Sequence, residues 1–582
     1  MRNAESRFAM NPTNIDIQRS SFTRPHSVKT SFNVGDIVPF YLDQDVLPGD
    51  TFQIDTSKVV RMQTLLTPMM DNLYLDTYYF FVPNRLVWKH WKEFMGENTQ
   101  SAWLPSVEYT IPQLESPAST GFAVGTIADY LGVPTGVPDL SMSALPFRAY
   151  ALICNEWFRD ENLTDPLVIP DDETTVTGVN TDNYVTDVAK GGAPFVASKY
   201  HDYFTSALPA PQKGPSVEVP VTQLGDLPVV PLGKEHSADY AIFWRSPTNN
   251  TPGGTPGFQY PAGFEIEFPA GATPYLNVDQ LPHDDPTASI WYNNPQPQPA
   301  AGAQDRAYPS NLWAQTPSTG VTTTINELRT AFQIQKFYER LARGGSRYIE
   351  MIKSFFNVTS PDARLQRPEY LGGNRIPINI NQVVQNSATD AVSPQGNTAA
   401  FSLTTDRHSD FTRSFTEHGM ILGLMVARYD HTYQQGLERG WSRKTRFDYY
   451  FPVFAHLGEQ AILNKEIYAQ ADTVIGTTGE PENEEVFGYQ EAWAEYRYKP
   501  SHVTGEMRST YSQSLDVWHL GDDYSALPAL SDAWIREDKA NVDRVLAVTS
   551  SVSNQLFADI FIQDKVTRPM PMYSVPGLID HF

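Results

Sequence analysis

Four groups of residues in this chain have the types that chemistry uses. Asp406-Arg407-His408-Ser409-Asp410 and His283-Asp284-Asp285 each set carboxylates beside an imidazole, the donors of a divalent-cation site. Neither has the spacing of a zinc or EF-hand site, and turn-forming aspartates account for both. Glu265 and Glu267 are the paired carboxylates a glycosidase would use, but alternation along a strand puts them on one face without any such role. Cys154 is the single cysteine, which excludes an intrachain disulfide and a cysteine-rich metal site. It falls in the periodic stretch Ala149 to Phe158 and reads as a small buried hydrophobe, not a nucleophile. There is no phosphate-binding loop, H-E-x-x-H, G-x-S-x-G or dinucleotide-binding glycine fingerprint. The sequence therefore assigns no catalytic residue, no cofactor-binding residue and no metal ligand.

The remaining chemistry is cationic. The chain carries a net charge of −24, yet Glu327 to Arg375 holds nine Lys/Arg against five Asp/Glu. Thr324 and Glu327 have the spacing of a capping box, so a helix should start there, with Leu328, Ala331, Phe332, Tyr338, Leu341 and Ala342 on one stripe. Gly344-Gly345 should end it, a second short helix should cover Arg347 to Phe356, and Ser360-Pro361 should open an extended, arginine-bearing loop closed by Gly372-Gly373. Two other places are basic. Residues 1–30 contain Arg2, Arg7, Arg19, Arg24 and Lys29 against Glu5 and Asp16 with no hydrophobic period, the pattern equally of a disordered tail and of an arm that touches nucleic-acid phosphates through charge alone. Trp441, Arg443 and Lys444 combine a stackable ring with cations, which suits single-stranded nucleic acid and equally a strand end with a solvated basic patch.

The elements that must position these residues are mostly strands. Aromatics at 12%, with 45 Pro and 36 Gly, favour many short strands joined by turns. Strand signals cover Asp50–Leu66, Leu73–Val82, Gly419–Tyr429, Thr445–Phe454, Arg544–Ser550 and Phe557–Val566. Strands so far apart in the chain suit a Greek-key or jelly-roll arrangement. The longest apolar run, Met420 to Ala427, is eight residues, well short of the ~20 that span a bilayer, so no membrane insertion is expected. MRNAESRFAMNPTN lacks the apolar core of a secretory signal, and the chain is expected to stay in the compartment where it is made.

The middle differs from both flanks. Residues 161–310 hold 21 of the 45 prolines and 18 Asp/Glu against 6 Lys/Arg. Runs such as Thr248–Gly257 are turn chemistry, but Trp244, Phe258, Tyr260, Phe264, Phe268 and Trp291 are too many aromatics for a solvated tether. An ordered, loop-rich acidic outgrowth is expected. The organisation reads as a basic arm over 1–30, a first β part over 31–160, this insertion over 161–310, a basic helical and loop segment over 311–375, and the remaining strands with a C-terminal tail over 376–582.

Three blocks carry a family resemblance. Arg340 to Gly373, RLARGGSRYIEMIKSFFNVTSPDARLQRPEYLGG, resembles the motif block of major capsid proteins of the Microviridae, most closely the gokushovirus branch. Leu47 to Gly96 resembles their first strands, with Tyr79-Phe80-Phe81-Val82-Pro83, Arg85, Trp88, Trp91 and Phe94, and Ser514 to Gly521, SLDVWHLG, is the third block. The resemblance implies a mainly β fold, an eight-stranded viral jelly-roll barrel with long loop insertions and a few short helices. It implies a coat subunit without enzymatic activity, found in the virion and assembled in the host bacterial cytoplasm. Sixty copies would form a T=1 shell through pentamers around a circular single-stranded DNA genome, with the insertion as threefold projections that recognise a host cell-surface receptor. Implied partners are other copies of the chain, an internal scaffolding protein, a small basic DNA-binding protein and a pilot protein. No cofactor is implied beyond structural calcium between subunits, which nothing in the sequence locates. Candidate subunit contacts are Trp88, Trp91 and Phe94 on a Trp88–Met95 helix, Arg340, Arg343, Arg364, Arg367 and Tyr370 in the basic block, and the tail from Thr567 to Phe582. The rival reading is a bacterial carbohydrate-binding or glycosidase-like β protein, suited by the acidic charge and many aromatics.

Overall fold

The computed structural model describes residues 18–97, 108–215, 325–345, 347–358, 366–387, 395–396 and 398–573, together with residue 217 and seven short strand segments between residues 229 and 314. The chain divides into two compact units, one of residues 1–215 and 337–582 and one of Ser216–Lys336. The expected outgrowth therefore starts later than residue 161. Residues 161–215 belong to the first unit because Leu167, Val188, Phe195 and Ala197 are buried there, apolar anchors set in an otherwise acidic, proline-rich stretch.

The first unit is built on two antiparallel sheets. The strands of these sheets are β1 (Ser20–Phe32), β2 (Val38–Val46), β3 (Thr51–Met62), β4 (Leu73–Pro83), β5 (Glu369–Gly372), β6 (Arg375–Pro377), β7 (Thr404–Ser414), β8 (Gly419–Tyr429) and β9 (Leu556–Arg568). One sheet runs β1-β9-β3-β7; the other runs β5-β4-β8-β2, with β6 also on β4. Both β5 and β6 lie along the same strand, β5 opposite Tyr79–Phe81 and β6 opposite Tyr74–Asp76. Gly373 joins them at φ +151°, where a Cβ would stand 1.9 Å from the Thr77 carbonyl oxygen. Only glycine fits that approach, which accounts for the Gly372-Gly373 pair. The sheets face each other without closing into a barrel. Phe52, Ile54 and Val60 of β3 and Ile560 and Ile562 of β9 share one core with Leu75, Tyr79 and Phe81 of β4 and Ile421 and Met425 of β8.

The two sheets differ on their outer faces, and the sequence pattern follows. β9 alternates strictly between buried and exposed positions, so its outer face meets solvent. β8 is buried at ten of its eleven residues, because Met420, Leu422, Leu424 and Val426 on its outer face form a second core with helix α1 (Leu145–Ile153). Burial on both faces turns a strand into a continuous apolar run, which is why Met420–Ala427 lacks alternation. Cys154 follows α1 and is fully buried in that core, where burial pushes its thiol well up; this is the inert hydrophobe expected.

Two expected strands are absent. Thr445–Phe454 forms short 3-10 turns: Thr445 and Asp448 make a capping box at the first, and Pro452 starts the second. In Arg544–Ser550, Arg544 and Val545 end the helix Ala540–Val545, which buries Val542 and Val545 about one turn apart. The expected Trp88–Met95 helix is a helical turn over Trp91–Phe94 preceded by an extended Trp88. Helix α2 (Ile325–Gly344) and α3 (Tyr348–Phe356) stand where the basic block places them, although Thr324 lies outside the described residues. Gly345 ends α2 at φ +85°. The arm expected over residues 1–30 is strand from Ser20 onward, since Phe22, Val28 and Phe32 supply enough inward side chains to pair β1 with β9.

The second unit contains antiparallel pairs among its short strands: Val229–Pro231 with Leu312–Ala314, Ile242–Arg245 with Gln259–Tyr260 and Tyr308–Pro309, and Glu267–Phe268 with Asp305–Arg306.

Candidate assembly and nucleic-acid interface

The three blocks singled out in the sequence converge on β4 and the chain around it. The first contains β3 and β4; the second supplies β5, which pairs with β4 and is followed there by β6. The third lies against the turn before β4, where the Met70 amide donates to the Trp518 carbonyl at 2.7 Å and the Leu520 amide to Asp71 Oδ2 at 2.9 Å.

Charged groups fasten this region. Asp76 of β4 accepts from Arg375 Nε and Arg428 Nη2, both at 2.7 Å, and from the Tyr200 hydroxyl at 2.8 Å. Burial alone would raise its pKa, but the two guanidiniums and the tyrosine outweigh this and hold it below the usual carboxylate range. Behind β8, His431 is fully buried between Asp522 at 2.9 Å and Glu537 at 3.0 Å. Burial disfavours the imidazolium, yet the carboxylates prevail and push its pKa up to about 9. A histidine raised from about 6.5 contributes stability that is complete below pH ~6.5 and disappears as pH rises through about 9. Denaturant titration across that window should show a loss on the order of 3 kcal/mol, which a His431→Gln variant lacks.

Most of the cations chosen from sequence are engaged within the chain. Arg24 pairs with Asp43 and Asp564, and Lys29 with Asp559 at 3.3 Å. Arg19 donates to the Gly49 carbonyl. In the basic block, Arg343 pairs with Glu459, Arg340 lies over Phe355 at 5.3 Å, and Arg367 lies over Trp157 at 4.3 Å. Tyr370 is exposed beside Phe80 and Trp157. Trp88 is fully buried in the second core and cannot meet another copy, whereas Trp91 is half-buried and Phe94 and Met95 are exposed. Arg2, Arg7, Arg364 and His283-Asp284-Asp285 lie outside the described residues. Asp406 and Asp410 are not in a turn as expected but in β7, where Asp406 meets Lys58 at 3.3 Å and Asp410 accepts from Thr56. Among the described residues no group of three His, Cys, Asp or Glu is placed to hold a metal ion.

Trp441, Arg443 and Lys444 open onto a feature that strand prediction hid. Residues 441–457 form an aromatic ledge: Phe447, Tyr449, Tyr450, Phe451 and Leu457 are exposed, Trp441 is 79% exposed and Val453 87%. The ledge is held from beneath. Arg443 pairs with Glu495 at 3.3 Å and stacks on Tyr449 and Tyr496, and the Trp493 indole N–H donates to the Phe454 carbonyl at 3.0 Å. Adjacent aromatics around Pro452, without alternation, were the signal in the sequence that this is a displayed turn. So much exposed apolar surface on a fixed support makes this ledge the candidate contact with another molecule.

Comparison with known proteins gives a consistent result. A sequence model of the capsid protein (F protein) family matches residues 10–578. The chain is 42% identical over 597 aligned residues to capsid protein VP1 of Chlamydia phage 1, covering 99% of this chain and 98% of that one. It is 41% identical to capsid protein VP1 of Spiroplasma virus 4, covering 97% and 96%, and 39% identical to that of Bdellovibrio phage phiMH2K, covering 100% and 99%.

Proposed function

The chain belongs to the capsid protein (F protein) family and is a structural protein of the virion, and from that premise we propose how it builds the shell. Sixty copies assemble through pentamers into a T=1 particle around a circular single-stranded DNA genome, inside the host bacterial cytoplasm, with help from an internal scaffolding protein. A small basic protein neutralises most of the packaged charge, and a pilot protein completes the particle. The subunit is a viral jelly roll. With β5 and β6 counted as one lane, eight lanes in chain order pair first with eighth, second with seventh, third with sixth and fourth with fifth. A long hairpin rolled onto itself produces that pairing, and it supports the eight-strand reading. The Ser216–Lys336 unit forms the threefold projection and meets the host receptor, a role suited to its acidic, proline- and aromatic-rich composition.

The observation that carries assembly is the aromatic ledge. Rigid, exposed aromatic side chains with stacked arginines are the composition of interface hot spots, and closed symmetry multiplies each contact around the shell. Phe94, Met95 and Tyr370 supply further exposed apolar area. The C-terminal tail acts with them. Deleting Pro569–Phe582 removes chain beyond the end of β9, so a folded subunit that forms no closed particle is expected by circular dichroism and electron microscopy. Closed particles at wild-type yield would remove the tail from the mechanism.

A further inference from the structure

The outer face of the β1-β9-β3-β7 sheet takes no part in either core, and its composition is unlike the rest of the chain. Phe557 and Phe561 project from β9 at 37% and 46% exposure, four residues apart and so about 13 Å from each other along the strand. Arg61 of β3 stands opposite Phe557. Arg407 of β7 stands in the row of Phe561, with Ser57 between them. Lys565 continues the face beyond Gln563. In a chain of charge −24, this face carries Lys29, Arg61, Arg407 and Lys565 against Asp55 and Asp559 only.

The state of these cations separates them from those already described. Lys29 is paired with Asp559. Among the described residues Arg61, Arg407 and Lys565 make no ion pair and no side-chain hydrogen bond, in contrast to Arg24, Arg343, Arg347 and Arg443. Unpaired cations flanking two separated rings on a serine- and threonine-rich sheet are too polar for the centre of a protein–protein contact, where aromatics cluster and lysine and serine are depleted. They match the requirement for a nucleic-acid single strand: faces for bases to stack on, and positive charge beside them for phosphates.

We infer that this sheet face is a binding platform for single-stranded DNA, with bases stacked on Phe557 and Phe561 and phosphates held by Arg61, Arg407 and Lys565. The inference rests on the reading that the shell encloses a single-stranded DNA genome, and it makes this face the inward one. Recognition is independent of sequence, because every base offers a stacking face and no group on the sheet reads base edges.

The test uses the full-length chain as dissociated subunits, with a fluorescent oligothymidine followed by anisotropy over a range of salt, and as particles assayed for nuclease-protected DNA. A Phe557→Ala/Phe561→Ala variant should bind at least tenfold more weakly with an unchanged salt slope. An Arg61→Gln/Arg407→Gln/Lys565→Gln variant should show a log–log salt slope shallower by about two. Both variants should melt as the wild type does. Wild-type affinity and slope in both, with DNA still protected by wild-type particles, would overturn the platform and leave the coat reading standing. Loss of shell closure in the phenylalanine variant with unchanged affinity would also overturn it, by making the face a subunit contact. If wild-type particles protect no DNA, the genome reading fails and this inference falls with it.

Discussion

Replacing Tyr449, Phe451 and Val453 together with serine should give a folded subunit that no longer closes shells. All three side chains are exposed, Tyr449 and Phe451 on the extended residues that flank the two short 3-10 turns and Val453 within the second, and none belongs to the buried cores. Exposed substitutions of this kind change subunit stability by roughly 0.5 kcal/mol or less. At an interface the same side chains are worth about 2 kcal/mol each where they fill a desolvated pocket. A closed shell repeats that loss at every symmetry-related contact, so a modest change per subunit becomes a loss of closed particles. Sedimentation of the purified variant should show slow species only, with far-ultraviolet dichroism and thermal melting as in the wild type. Wild-type yields of closed particles would show that the ledge faces solvent or another partner.

Asp76→Ala should produce a large loss of subunit stability. The carboxylate is buried and joins β4 to Arg375 of β6 and to Arg428 of β8. Arg428 is itself mostly buried, against Tyr200 at 4.3 Å, so truncating Asp76 leaves a guanidinium out of water without its counter-ion. Breaking a buried pair from one side costs about 3–5 kcal/mol, measurable as a lower denaturation midpoint. The effect has a defined pH signature. A carboxylate whose folded pKa is depressed contributes stability that is present above its unfolded value, near 4, and is lost as pH falls through the folded one. The wild type should therefore lose stability in acid more steeply than Asp76→Ala. Equal acid limbs would mean that other carboxylates dominate.

How much of this was legible in the sequence depended on whether a segment is governed by its own pattern or by distant neighbours. β3, β4, β8 and β9 were visible because alternation or a dense apolar run follows directly from one-sided or two-sided burial. The helices of the basic block were visible from period and glycine punctuation. β1 was hidden because it lies at the sheet edge, carries Pro25 and buries little, so its pairing with β9 is decided more than five hundred residues away. Thr445–Phe454 has strand-like composition, but Pro452 and the Thr445–Asp448 box override it locally. The basic residues of Arg340–Gly373 were visible as unusual. Their partners, Glu459 for Arg343 and Trp157 for Arg367, come from other parts of the chain that one-dimensional charge cannot reveal. Burial of Trp88 was hidden in the same way, since a tryptophan beside exposed Phe94 and Met95 looks like part of one displayed patch.

The most direct test of the account is cryo-electron microscopy of the protein purified from expressing cells together with its scaffolding protein, paired with nuclease protection of single-stranded DNA in the same fraction. The account predicts closed shells of one size, with residues 441–457 buried between copies, Ser216–Lys336 projecting outward and protected DNA within. Monomers alone, or shells in which the aromatic ledge meets only solvent and no DNA is protected, would contradict it.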